Sequence, residues 1–196
     1  ERLLTRHTVA ADVRAVVSDL AEHQRRALAV ALPRAVVVAD RFHVVALGGR
    51  ALREVRGGRR QRGNVAWLLD RAAERLRADE RARLGAALAA DPVLAEAWAL
   101  KERLRALYTE RSRPEAAAAL DRWVVDAEHS GLVPFARTAR TLRSWREEVL
   151  NYWRYRLTNA LVEGKHNRVK TLKRRAYGYR NDRAFMLRIL NCFHSD

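Results

Sequence analysis

The chain has 196 residues, of which 48% are hydrophobic, and its 39 Lys and Arg residues against 23 Asp and Glu residues give a formal charge of +16. This size and apolar content exclude a disordered tail and allow one sizeable core with a helical appendage. The single cysteine, Cys192, excludes an internal disulfide and a cysteine-rich zinc site. No run of 18 apolar residues is present, so we expect a cytoplasmic protein without membrane contact, whose charge favours nucleic acid as the partner.

The N-terminal third predicts a strand, a helix and a second strand. Val13–Ser18 is a short β-branched run that ends at Asp19, Leu20–Leu32 has helical periodicity, and Ala35–Ala39 is a continuous apolar run that ends at Asp40. A crossover of this length joins parallel strands, whose carboxyl ends meet at one edge of the sheet. We therefore expect Asp19 and Asp40 to be neighbours at that edge, where sites in α/β folds lie. Either aspartate could instead cap the helix that follows it.

The middle of the chain predicts helices only. Phe42–Arg56 reads as a helix, Gly57–Gly63 as a basic loop that either touches phosphates or is a solvated turn, and Asn64–Glu148 as a helical insertion. The breaks in this insertion are predicted near Asp79, at Asp91-Pro92, near Arg113-Pro114 and at Gly131 to Pro134. Its tryptophans are spaced so that each helix carries one packing anchor: Trp67, Trp98, Trp123 and Trp145.

A strongly basic helix follows the insertion and contains one acid, Glu163. Helical geometry places Asn159, Glu163, Asn167, Lys170 and Arg174 on one face and a row of apolar residues on the opposite face. An outward carboxylate flanked by amides and cations suits a metal site beside phosphates. The alternative is an exposed helix in which Glu163 makes an ordinary pair one turn away.

The three acids Asp19, Asp40 and Glu163 together suit two-metal phosphoryl transfer. In that chemistry, carboxylates from different elements bridge two divalent ions about 4 Å apart. Oxygen ligands with weak geometric demands point to Mg²⁺, with Mn²⁺ as a substitute.

At these residues the sequence resembles the bacterial insertion-sequence transposases with a DDE, RNase H-like catalytic domain, in the group with a D-R-F-H signature. The resemblance runs from about Val13 to Leu190. It is carried by V-V-S-D ending at Asp19, by D-R-F-H at residues 40–43, by T-N-A-L-V-E-G-K-H-N-R-V-K around Glu163, and by K-R-R-A-Y-G-Y-R-N at residues 173–181.

The resemblance implies a site and a chemistry. Asp19 and Glu163 would be metal ligands, while Asp40 and His43 would either complete the metal site or order it through hydrogen bonds. The implied reaction is strand cleavage by water followed by transesterification at insertion-sequence ends. The resemblance also implies that the first catalytic Asp, on the first strand of the fold, is missing from these 196 residues. We therefore expect a fragment of the catalytic domain.

The basic residues around Glu163 are predicted to contact DNA at transposon ends and target. The cations adjoining the metal acid would bind backbone phosphates, and the two tyrosines would stack on bases or form a structural turn. The predicted DNA-binding residues are Lys165, Asn167, Lys170, Lys173, Arg174, Arg175, Tyr177, Tyr179 and Arg180. Self-association into a homo-oligomer is left open.

The predicted fold class is α/β and predominantly helical, a partial RNase H-like core of parallel strands with an all-helical insertion. The predicted divisions are residues 1–56 for the partial βαβ core, 57–150 for the insertion, and 151–196 for C-terminal helices that carry Glu163 and close the core. Two alternatives remain. One is a catalytically inactive DNA-binding remnant of a transposase, and the other is an unrelated basic helical nucleic-acid-binding protein.

Overall fold

The computed structural model describes residues 12–57, 65–159, 168–174, 181 and 185–188. The chain divides into two compact units, Glu1–Leu157 and Thr158–Asp196. The first unit contains a small parallel sheet and most of the helices. The basic loop predicted for residues 57–63 lies, apart from Gly57, outside the described residues.

The N-terminal part of the first unit is the predicted strand, helix and strand. Strand β1 is Ala15–Ser18, helix α1 is Glu22–Ala31, and strand β2 is Val36–Ala39. The strands pair in parallel, with Ala15 opposite Val36 and Ser18 opposite Ala39, as the sequence predicts. Ala21 is the N-cap of α1 and no side chain caps it, so the alternative that Asp19 caps this helix is wrong.

Helix α2, Arg41–Gly57, follows β2 without a loop and buries Val44, Gly48, Ala51 and Leu52. Gly48 permits a close helix crossing, because a Cβ built there would lie 3.2 Å from the side chain of Leu104. This crossing fixes α2, which starts directly after Asp40, against the insertion.

The helices of the insertion are α3 (Ala66–Asp70), α4 (Ala78–Ala90), α5 (Pro92–Ala106), α6 (Arg113–His129), α7 (Val133–Ser144) and α8 (Arg146–Leu150). Helix α9 (Tyr152–Tyr155) follows the insertion. The predicted break at Asp91-Pro92 is confirmed. The Asp91 carboxylate accepts the N–H of Leu94 at 3.0 Å, and Pro92 is the first residue of α5.

The tryptophans of the insertion do not all anchor the core. Trp123 and Trp145 are buried, and Trp98 packs against the core from its margin. Trp67 is 37% exposed and has the Arg71 guanidinium 5.3 Å from its ring centroid. The prediction of a buried anchor is therefore wrong for Trp67, since α3 is short and turns this side chain outward beside an arginine.

In the second unit, residues 168–174 and 185–188 are helical. Within the first of these segments Val169 and Leu172 are partly buried, whereas Lys170, Lys173 and Arg174 are exposed. Among the helices that the structure describes in either unit, none is both long and apolar enough to cross a membrane.

Candidate functional site: an acid cluster at the end of the sheet

Two aspartates lie at the carboxyl ends of β1 and β2. The parallel ladder continues one step beyond the strands, because the Asp40 N–H donates to the Ser18 carbonyl at 3.0 Å. Asp19 and Asp40 therefore follow directly after the last register pair, Ser18 with Ala39. Their environments differ, since the Asp40 side chain is fully buried and that of Asp19 is 39% exposed. One carboxylate thus belongs to the core, and the other faces solvent.

His43 connects the two carboxylates. It lies in the first turn of α2, so its ring returns toward Asp40 three residues earlier. Its Nδ1 atom is 2.9 Å from Asp40 Oδ2 and 3.2 Å from Asp19 Oδ1. Ionised carboxylates only accept hydrogen bonds, so both contacts favour the tautomer with the proton on Nδ1. His43 is itself 40% exposed and is not an enclosed core histidine.

Aromatic residues of the insertion and of α9 form the wall behind this acid cluster. The Tyr108 ring stacks on Trp153 at 5.3 Å between centroids and meets Tyr152 edge-on at 5.1 Å. Arg41 donates from Nη1 to the Tyr152 hydroxyl at 3.2 Å, which ties the start of α2 to this wall. Burial raises the pKa of the Tyr108 phenol, and the negative charge of Asp40 raises that pKa further, so Tyr108 keeps its proton.

The other side of β2 is held by a side-chain amide. Asn151, between α8 and α9, donates from Nδ2 to the Val37 carbonyl at 2.9 Å. This bond fixes β2, and with it the position of Asp40. Neither Asn151 nor Tyr108 is a predicted site residue. Both reach the site from more than 60 residues away, so no local pattern in the sequence marks them.

The acid cluster has the donors of a cation site. One ligand atom each from Asp19, Asp40 and His43 lies within 4.8 Å of the other two. A divalent ion with bonds of about 2.0–2.6 Å can reach donors at such separations. Two carboxylate oxygens suit hard cations such as Mg²⁺ and Mn²⁺, and His43 either adds an imidazole nitrogen or keeps its Nδ1 proton and orders the carboxylates. The residues therefore fit a divalent metal ion.

The remaining predicted site residues lie in the second unit or beyond the described residues. Lys170, Lys173 and Arg174 are exposed on a helical segment, and Lys170 and Arg174 are four residues apart on one face, as predicted. The others lie outside the residues described: Glu163, Lys165, Asn167, Arg175, Tyr177, Tyr179 and Arg180.

The chain is basic and mostly helical, and its parallel strands bring two carboxylates and a histidine to one edge of the sheet. These features define an α/β protein with an acidic site that is compatible with a cation. The family model DDE_Tnp_ISL3, described as a transposase, matches residues 2–189. The chain belongs to this family of insertion-sequence transposases.

Similar proteins carry the same description. The chain is 32% identical over 193 residues to the transposase of insertion sequence element IS1001 from Bordetella parapertussis, covering 92% of this chain and 48% of that protein. It is 26% identical over 209 residues to the IS1557 transposases of two Mycobacterium tuberculosis strains, CDC 1551 / Oshkosh and H37Rv, covering 90% of this chain and 47% of each. The chain thus spans about half the length of these relatives. No solved structure matches it significantly.

Proposed function

We propose that this chain carries part of the catalytic centre for metal-dependent DNA strand cleavage and transfer at insertion-sequence ends. The observation that carries the proposal is the acid cluster, in which a buried and an exposed carboxylate share one histidine at the end of parallel strands. Such an edge is where α/β enzymes place their chemistry. The proposal includes an RNase H-like arrangement for the core, with residues 1–56, 57–150 and 151–196 as core, insertion and C-terminal helices.

Asp19, Asp40 and Glu163 would hold the metal, which is Mg²⁺ with Mn²⁺ as a substitute. When bound, divalent ions of this kind activate a water or a 3′-hydroxyl and stabilise the leaving oxygen. Asp40, fixed in the core, supplies a rigid donor, while the exposed Asp19 can adjust. His43 orients both carboxylates by donating from Nδ1, and it keeps them close despite their like charges.

The basic residues following Glu163 would bind the DNA backbone. Lys170, Lys173 and Arg174 are exposed and therefore available to phosphates. We extend the same role to the remaining predicted DNA-binding residues around Glu163.

Binding of Mn²⁺, followed by electron paramagnetic resonance, tests the metal site without requiring activity. We expect Asp40→Asn and Glu163→Gln each to weaken Mn²⁺ binding about tenfold or more, since each removes one anionic ligand. Asp79→Asn, which alters an exposed acid on α4, is the matched control and should leave the affinity unchanged. Equal affinities in all four proteins would reject the metal site.

Nicking of supercoiled plasmid with Mg²⁺ then tests the chemistry. Glu163→Gln should abolish nicking while leaving DNA binding equal or stronger, because it removes a negative charge near phosphates without changing side-chain volume. A loss of DNA binding in this variant would assign Glu163 a structural role. DNA binding without nicking in the parent chain is expected both of a fragment that lacks the first catalytic Asp and of an inactive remnant, whereas nicking by the parent chain would exclude the remnant.

A further inference from the structure

A groove of about 760 Å³ opens along one face of α2. One wall is the first half of α2, beginning with Arg41 and Phe42. The other wall is formed by the segment after α3 and by the end of α5, and it reaches Tyr108. Asp19, Asp40 and His43 do not line the groove, although Arg41 follows Asp40 in the chain and the charge of Asp40 contributes to the raised pKa of Tyr108.

The groove lining is cationic. Six basic and two acidic residues line it: Arg41, Arg53, Arg71, Arg75, Lys101 and Arg105 with Asp70 and Glu74. Lys101 and Arg71 also pair with Glu102 and Glu80, which lie outside the lining, so six positive charges stand against four negative ones. Some of these charges are paired, as Arg53 is with Asp70 at 3.2 Å and Arg105 with Glu74 at 2.5 Å. Solvent-exposed pairs of this kind contribute little to stability, so a phosphate can replace the carboxylate at small cost.

An exposed aromatic ring lines the groove at the first turn of α2. Phe42 is 45% exposed, and the Arg41 guanidinium lies 4.8 Å from its ring centroid. Proteins that bind unpaired strands combine a basic channel with aromatic rings on which bases stack. A volume of about 760 Å³ is also within the range of sites that enclose small ligands, about 300–1,000 Å³, which suits one or two nucleotides better than a duplex.

We propose that this groove binds an unpaired stretch of DNA strand, with a base stacked on Phe42 and phosphates held by Arg53 and Arg75. The inference rests on the proposed function, since it assumes that the protein handles DNA. It assigns a specific role to the groove between α2 and the insertion.

Fluorescence anisotropy with a labelled dT8 oligonucleotide and an 8-base-pair hairpin tests the proposal, with EDTA present so that the metal site does not contribute. Phe42→Ala should weaken dT8 binding about tenfold, as expected for one stacked base, and should change hairpin binding less than about twofold. Val133→Ala, at an apolar side chain that is 72% exposed on α7, is the matched control and should change neither. Both replaced side chains are exposed, so the fold should persist, which circular dichroism can verify.

Arg75→Gln should reduce the salt slope for dT8 by about 0.7, whereas Arg83→Gln, on the exposed surface of α4 away from the groove, should not. Equal effects of Phe42→Ala and Val133→Ala on dT8 would overturn the proposal. Equal weakening of dT8 and hairpin by Phe42→Ala would also overturn it, since the ring would then serve general DNA binding. These outcomes are separate from the metal test, because a protein can bind dT8 through Phe42 and still fail to bind Mn²⁺.

Discussion

Replacing Lys101 by Met should lower the free energy of unfolding severely. Lys101 is 6% exposed, and its Nζ atom donates to the carbonyls of Leu69 at 2.8 Å and Arg71 at 3.0 Å. These carbonyls lie at the C-terminal end of α3, where helix carbonyls lack intrahelical partners. The same Nζ lies 2.5 Å from Glu102 Oε1. One ammonium therefore donates hydrogen bonds to two carbonyls at a helix end and forms an ion pair with a partly buried carboxylate.

The size of the effect follows from these partners. Methionine fills a similar volume but donates no hydrogen bond, so the two carbonyls would lose their donor. Glu102 would lose the ammonium beside Oε1 and keep only the donors to Oε2, from Arg105 and the Ala73 N–H. Breaking a buried ion pair by removing one partner costs about 3–5 kcal/mol. We expect a loss of about 3–5 kcal/mol in the free energy of unfolding, a large share of a stability of about 5–15 kcal/mol for a domain.

Urea denaturation followed by circular dichroism measures this loss. Arg103→Met is the matched control, because Arg103 lies on the same helix, is 47% exposed and pairs only at the surface with Asp126. That change should cost less than about 1 kcal/mol. A Lys101→Met loss no larger than the Arg103→Met loss would refute the reasoning, since it would mean that the carbonyls find water or another donor.

Two further predictions concern charge. Arg146 donates to Asp121 through two bonds of 2.8 Å, and this hydrogen bonding lowers the pKa of Asp121. Asp121→Asn should therefore cost about 0.5 kcal/mol at neutral pH, and this cost should disappear at an acid pH below the lowered pKa of Asp121, where the carboxyl is protonated in the folded protein as well. Urea titrations at both pH values check this, and a loss that is independent of pH would contradict it. Lys170→Ala combined with Arg174→Ala should reduce the salt slope of duplex binding by about 0.9 per lost contact, or about 2, in filter binding at several salt concentrations. Arg140→Ala, an exposed arginine on α7, serves as the control, and an unchanged slope in the double variant would remove this helical segment from the DNA interface.

The sequence predicts the parts of the fold that depend on short-range patterns. Two β-branched runs, each ending in Asp and separated by a helix, were enough to predict parallel pairing, because the right-handed crossover leaves little choice of topology. The Asp91-Pro92 helix start is likewise local chemistry. The same patterns bring Asp19 and Asp40 to one edge, since the ends of parallel strands coincide.

The sequence does not predict which distant side chains complete the site. The sequence around Lys101 is typical of the exposed face of a charged helix. Lys101 is buried because α2 crosses α5 closely at Gly48. Tyr108 and Asn151 reach the acid cluster from separate helices, and their positions depend on helix packing angles that hydrophobic periodicity leaves open. The misplacement of Trp67 has the same origin, since a five-residue helix has too few turns to define a buried face.

The side-chain amide of Asn151 occupies one edge of the two-stranded sheet, so a further strand could pair only at the other edge. The N–H groups of Val36 and Asp40 donate to carbonyls on the β1 side, so the carbonyl of Val37 points to the opposite side of β2. There it accepts a hydrogen bond from Asn151 Nδ2. A strand that approached from that side would have to displace this amide, and helices α8 and α9 contact β2. Within the part of the chain that the structure describes, β1 pairs only with β2. Any strand added to this sheet is therefore directed to β1, beside the exposed Asp19 and away from the buried Asp40.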